Sequence, residues 1–172
     1  AVRRLAPKGL ADRVLKYIDA AIELEQAATS DEGDEAFDWK TKKFGLLVAL
    51  DRPDDLEVAL RKWIATDEYV APWQLALGRL LAERGRIDDA IPLFEAVEKK
   101  SPLSPNDYET LANWYLVSDR RPDYERAKVE SFQVMQEHQI SNWINQRLYP
   151  WQRSDTELPR ELDERVLFAF KA

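Results

Sequence analysis

Asp51-Arg52-Pro53-Asp54-Asp55-Leu56, Gly85-Arg86-Ile87-Asp88-Asp89-Ala90 and Asp119-Arg120-Arg121-Pro122-Asp123-Tyr124 are three versions of one phrase, set 34 residues apart without a gap. Each joins a turn signal to the acidic start of a helix, where carboxylates accept orphan backbone N–H bonds and oppose the helix dipole. A fixed period of this size is the length of one helix-turn-helix unit in a stacked array. Such a unit cannot bury its apolar face alone; stacked neighbours bury it and leave a long surface open to a partner. The phrase therefore points to an all-α fold of stacked antiparallel helix pairs, used for binding or scaffolding.

The segments between the phrases carry helical spacing. Leu10, Val14, Ile18, Ala21, Ile22 and Leu24 predict a helix over 9–28. Phe37, Phe44, Leu47 and Leu50 mark a second, which Pro53 should stop, with Asp54 capping a third that carries Leu56, Ala59, Leu60, Trp63 and Ile64. The same two-helix pattern recurs from Ala71 to Lys100, turning at Arg84-Gly85-Arg86, and again from Ser104 to His138. Ser104, Pro105 and Asp107 form a helix-start signature. Ser141 to Leu148 and Pro159 to Phe170 read as shorter helices, for about nine in all. One helical domain is expected over 1–172: a first helix and acidic linker at 1–36, repeats at 37–70, 71–104 and 105–138, and degenerate helices at 139–172.

Composition excludes several other classes. The chain has 172 residues, 45% hydrophobic and 33% charged, enough to bury a sizeable core and too apolar for disorder. Its net charge of −7, from 32 acidic against 25 basic residues, argues against nucleic-acid binding, which rests on phosphate neutralisation. The longest uncharged apolar run, Phe44 to Leu50, is too short to cross a bilayer, so a soluble chain, cytoplasmic or periplasmic, is expected. Absence of cysteine removes disulfides and thiolate chemistry. Ala1 to Lys8 lack the apolar core of a signal peptide and no initiator Met precedes them, so either a leader was removed or the chain is a piece of a longer one. Asp31, Glu32, Asp34 and Glu35 lack the ligand spacing of a calcium loop and read as a solvated linker.

The residues resemble the tetratricopeptide repeats. With Ala71 as repeat position one, the signature falls on Leu77, Gly78, Ala90, Phe94 and Pro102, with Gly85 at the turn, and the next unit keeps Tyr108, Leu111, Ala112 and Tyr115. Phe44, Leu56 and Tyr124 depart from it by placing large residues where the family prefers small ones, which makes the outer units TPR-like rather than regular. The resemblance covers Phe37 to His138 and implies a right-handed superhelix, an α-solenoid. In it, Gly78 and Ala90 should lie at the crossing of two helices, with Leu77, Leu81 and Phe94 filling the sides.

It also implies a ligand groove along the first helix of each pair. The groove positions fall on Lys42 and Val48, on Leu75, Arg79 and Glu83, and on Asn106, Glu109, Asn113 and Leu116. Only Arg79 and Asn113 echo the cation-and-amide clamp with which family members hold a terminal carboxylate, so a chaperone tail is not the expected ligand. Val48, Leu75, Ala82, Leu116 and Val117 would suit an amphipathic helix of a partner protein or peptide. The plainer reading of Arg79 is an exposed pair with Glu83 one turn on. Trp39, Trp73 and Trp114 fall on a flank that should pack between units, while Trp63, Trp143 and Trp151 are less constrained.

Catalysis has little material. The single histidine, His138, reads as an exposed residue of a helix-end turn, and neither a phosphate loop nor a nucleophile or metalloprotease motif occurs. We expect no enzyme, no cofactor and no metal; a helical glycosidase would need two carboxylates about 5 to 10 Å apart in a cleft. The remaining alternative is a structural spacer in a larger protein, its groove filled by a flanking helix of the same chain. Leu162, Val166, Phe168 and Phe170 form an apolar end that predicts either continuation of the chain or self-association through that helix.

Overall fold

A computed structural model describes residues 9–27 and 35–148. Eight helices occupy them: α1 Leu10–Ala27, α2 Glu35–Ala49, α3 Pro53–Thr66, α4 Ala71–Glu83, α5 Ile87–Glu98, α6 Pro105–Val117, α7 Arg121–Gln133 and α8 Glu137–Leu148. No strand occurs among the described residues. The expected helix from Pro159 to Phe170, the apolar end, Trp151, Ala1 to Lys8 and most of the acidic linker lie outside them.

The chain divides into two units between Ala65 and Thr66. In the first, α1 packs on α2. Leu15, Ile18 and Ile22 line the buried side of α1, and Leu47 is buried on α2. Lys43 Nζ on α2 donates to Asp19 Oδ1 on α1 at 2.5 Å, and Arg52 reaches Asp12 at 2.5 Å. Leu56, Ala59, Leu60 and Trp63 form the buried stripe of α3.

In the second unit α4 packs on α5 and α6 on α7, and α5 joins the two pairs by packing on α6. Phe94, Leu111, Ala112, Tyr115, Ala127 and Phe132 form the centre of its core, each with at most 1% of its surface exposed. Gly78 is small for a reason: a Cβ there would lie 2.7 and 2.8 Å from two ring carbons of Phe94 and 3.4 Å from the Ala90 carbonyl oxygen. The helix crossing expected at Gly78 and Ala90 is present. The same register holds Ala112, Tyr124 and Lys128 in the next pair, so bulk moves from position to position while the backbone arrangement recurs.

The three copies of the repeated phrase match at atomic detail. Asp51, Gly85 and Asp119 have φ of 57°, 77° and 57°, the left-handed conformation that ends a helix. The N–H of each bonds three residues back, to Val48, Ala82 and Leu116, and the N–H of the following arginine bonds to Leu47, Leu81 and Tyr115. These are three Schellman turns in one register. Arg52, Arg86 and Arg120 then each donate from Nε to the Oδ2 of Asp55, Asp89 and Asp123, at 2.5, 2.8 and 2.8 Å, tying the turn to the helix it starts.

Two local expectations are corrected. Pro53 is the first residue of α3 rather than a stop before it, a position where its missing N–H costs nothing, and Asp54 lies in the first turn instead of capping. His138 sits at the start of α8, because α7 ends at Gln133 and the chain turns at Val134 to Gln136 before α8 begins.

Candidate functional site: the outward faces of α4 and α6

α6 begins where Ser104, in extended conformation, accepts the Asp107 N–H at 3.2 Å, with Pro105 supplying the first helical residue. That start fixes which side of α6 faces out. Asn106, Asn113, Leu116 and Val117 are exposed, and Leu116 and Val117 keep 47% and 71% of their surface in water. On α4 the equivalent face carries Leu75, half-buried against the core of the unit, and Arg79 and Glu83, both exposed.

Two of the charges expected on this face, Arg79 and Glu109, are engaged within the molecule. Arg79 donates to Asp107 on α6, linking one helix pair to the next, and its guanidinium carbon lies 5.7 Å from the Phe94 ring centre. Its partner is not Glu83. Asp107 is 7% exposed and also accepts from Ser104 Oγ at 2.6 Å, so a buried carboxylate is satisfied by a cap hydroxyl and a guanidinium. Glu109 turns toward α7, where it accepts from Lys128 Nζ at 2.5 Å and from Ser131 Oγ at 3.4 Å. Lys128 is 3% exposed and holds the register position of Phe94, which makes its ammonium a core group paired with the Glu109 carboxylate.

Of the sequence-predicted groove residues, the structure thus sets Arg79, Asn106, Asn113 and Leu116 out on α4 and α6 of one unit. Lys42 lies in the other unit, exposed, with Nζ 4.2 Å from the Trp39 ring centre. Val48 on α2 is also exposed. Gly45, the counterpart of Arg79 and Asn113 one repeat earlier, has open space where a Cβ would be.

Four of the tryptophans pack inside the described units. Trp73 is buried and donates Nε1 to Asp67 Oδ2 at 2.9 Å, and Trp63 is buried on α3. Trp114 meets Phe94 edge-on at 4.7 Å and Trp143 meets Phe132 at 4.9 Å. Compared with protein-family models, curated proteins and solved structures, the chain has no significant match. Its functional reading therefore rests on the residues and their arrangement.

Sequence reasoning missed the polar cluster that spans α5, α6 and α7. Tyr115 Oη, on a fully buried side chain, donates to Glu95 Oε1 at 2.9 Å, and Arg120 reaches the same oxygen at 3.1 Å while lying over the tyrosine ring. Arg126 donates to Glu98 at 2.6 Å and to Glu130 at 2.7 Å. Burial, then the Glu95 carboxylate, push the Tyr115 hydroxyl well above its ordinary value. Its bond to Glu98 holds Arg126 firmly protonated. Burial first, and then the Glu98 carboxylate, raise Glu130. The two carboxylates share one guanidinium, and the cluster fastens the second helices of successive pairs. Among the described residues, no group of His, Asp and Glu has the arrangement of a metal site, and no helix is long and apolar enough to cross a membrane.

Proposed function

We propose that this chain is a non-catalytic repeat module, TPR-like and superhelical, that binds a protein or peptide segment along the outward faces of α4 and α6. The observation that carries the proposal is the contrast on α6. Its polar groups toward the neighbouring helices, Asp107 and Glu109, are paired internally, whereas Asn106, Asn113, Leu116 and Val117 remain exposed together. Carboxamides beside apolar side chains can hold backbone groups of a segment while its side chains contact leucine and valine. A terminal-carboxylate clamp has less support, since Arg79 already serves Asp107. The same ion pairs favour a second reading, the structural spacer, in which these groups hold successive helix pairs together and no separate ligand is taken.

A test must leave Arg79 in place, because Arg79→Glu would set two carboxylates against each other and unsettle the fold. Asn113→Ala with Leu116→Glu changes only exposed groups. Partners captured by the immobilised chain should be lost by this variant at an unchanged melting temperature. Equal capture by the folded variant, or no saturable capture by the parent, would remove the binding role from this face and leave the spacer.

A further inference from the structure

The joint between the pair α4–α5 and the pair α6–α7 is tied in two places. On the first helices, Arg79 of α4 meets Asp107 of α6, one cation to one anion. On the second helices, Glu98 of α5 meets Arg126 and Glu130 of α7, and a single nitrogen of the guanidinium donates to both carboxylates, at 2.6 and 2.7 Å. Arg120 is shared in the same way, between Glu95 and Asp123. Between them the two guanidinia serve four carboxylates, which leaves this second tie with surplus negative charge at neutral pH. Water screens that surplus poorly, because Glu98 and Glu130 keep only 16% and 30% of their side-chain surface exposed. Around the pair stand Glu95 of α5 and the Tyr108 and Tyr115 hydroxyls of α6; burial raises both hydroxyls, so neither titrates in acid.

A proton relieves the surplus. Burial, and then a hydrogen bond to Glu98, favour the protonated form of Glu130, so the two carboxyl groups lie within bonding reach across the joint. Once protonated, Glu130 changes from a second anion into a donor, and its O–H makes a charge-assisted bond to the Glu98 carboxylate while Arg126 keeps its own bond to Glu98. The packed helix pairs of this unit are α4 with α5, α5 with α6 and α6 with α7, so the tie from α5 to α7 is made by side chains.

We propose that Glu98 and Glu130 form an acid-engaged clasp, in which one shared proton binds α7 to α5 and tightens the joint between the two helix pairs. The chain is then stiffer at this joint in mild acid than at neutrality, with or without a ligand on the outward faces. Carboxyl carbon-13 NMR of the full chain reads the proton directly. Glu98 and Glu130 should titrate as a coupled pair, both signals following the same steps, with the first uptake above the ordinary value of 4.5. In Glu98→Ala the Glu130 signal should fall back toward that value. Amide hydrogen exchange reads the joint itself. From about pH 7.5 to about pH 5, protection of the α7 amides, corrected for intrinsic rate, should rise in the parent by about threefold or more relative to Glu130→Ala. Glu130→Gln, whose amide donates to Glu98 at any pH, should show no such rise. The parent titration needs no variant, so it decides the matter even where Glu130→Ala does not fold. Independent titration of the two carboxylates at the ordinary value, or α7 protection in the parent that tracks Glu130→Ala across the range, would overturn the proposal.

Discussion

At the residue scale the three turns share one backbone conformation and differ in side chain, which makes them an internal control. Gly85 adopts φ of 77° without strain, whereas Asp51 and Asp119 hold 57° with a Cβ present. Asp119→Gly should therefore raise stability by about 0.5–1 kcal/mol, the relief of the left-handed strain less the added freedom of the unfolded chain. Gly85→Ala should lower it by about 1 kcal/mol, for conformational reasons alone, because nothing lies within 4 Å of the added methyl. Chemical denaturation of the two variants checks both signs. Equal shifts in the same direction would mean that the turns are not equivalent. The arginine after each turn is a residue whose role could be seen only in three dimensions; the sequence shows Arg52, Arg86 and Arg120 at a constant offset, but not that each closes onto the aspartate three residues on.

At the scale of helices, the period and the small residues were readable and the long polar side chains were not. Apolar spacing located α1 to α3, because burial on one side imposes it, and the 34-residue recurrence located α4 to α7. Gly78 and Ala90 were readable because close backbone approach admits few residue types. Arg79 was not: spacing offers Glu83 one turn away, and the choice of Asp107 depends on where α6 lies. Lys128 carried an unused signal, since a lysine in the register of Phe94 must bring a buried partner with it. Glycine substitutions test the packing of α2 and α4 directly. Gly45→Ala should stabilise the fold by about 1 kcal/mol, as an interior helical glycine with open space beside it. Gly78→Ala should destabilise it by about 1–3 kcal/mol, because the methyl meets the Phe94 ring below normal contact distance. Thermal melts that place the two variants on the same side of the parent would contradict the arrangement of α4 on α5.

At the scale of the whole molecule, acidity enters through the cluster on α5, α6 and α7. The folded-state value of Glu130 lies above the ordinary carboxylate value of 4.5, so the folded chain holds that proton more tightly than the unfolded one. Its contribution is unfavourable at neutral pH and is relieved as pH falls through the folded value toward 4.5. Glu130→Gln removes this dependence. The stability of the parent relative to the variant should accordingly rise as pH is lowered from neutrality into that window. A constant difference between them across the same range would show that the Arg126 guanidinium already cancels the strain. The outward face of α6 has no such constraint on it, which is why its residue positions could be read from the repeat while its occupant could not: exposed side chains satisfy water equally well with or without a ligand.

The three superimposable turns also bear on how such a chain can change in a genome. A crossover between one copy of the turn and the next, removing 34 residues such as 86–119, would rejoin Gly85 to Arg120 and rebuild a closed joint. The interior would not be rebuilt, because Gly78 would then look for Phe94 and meet the register of Lys128 instead. Joints that are interchangeable and interiors that are private allow new copies to arise by duplication, yet penalise any later loss or reordering once neighbours have diverged.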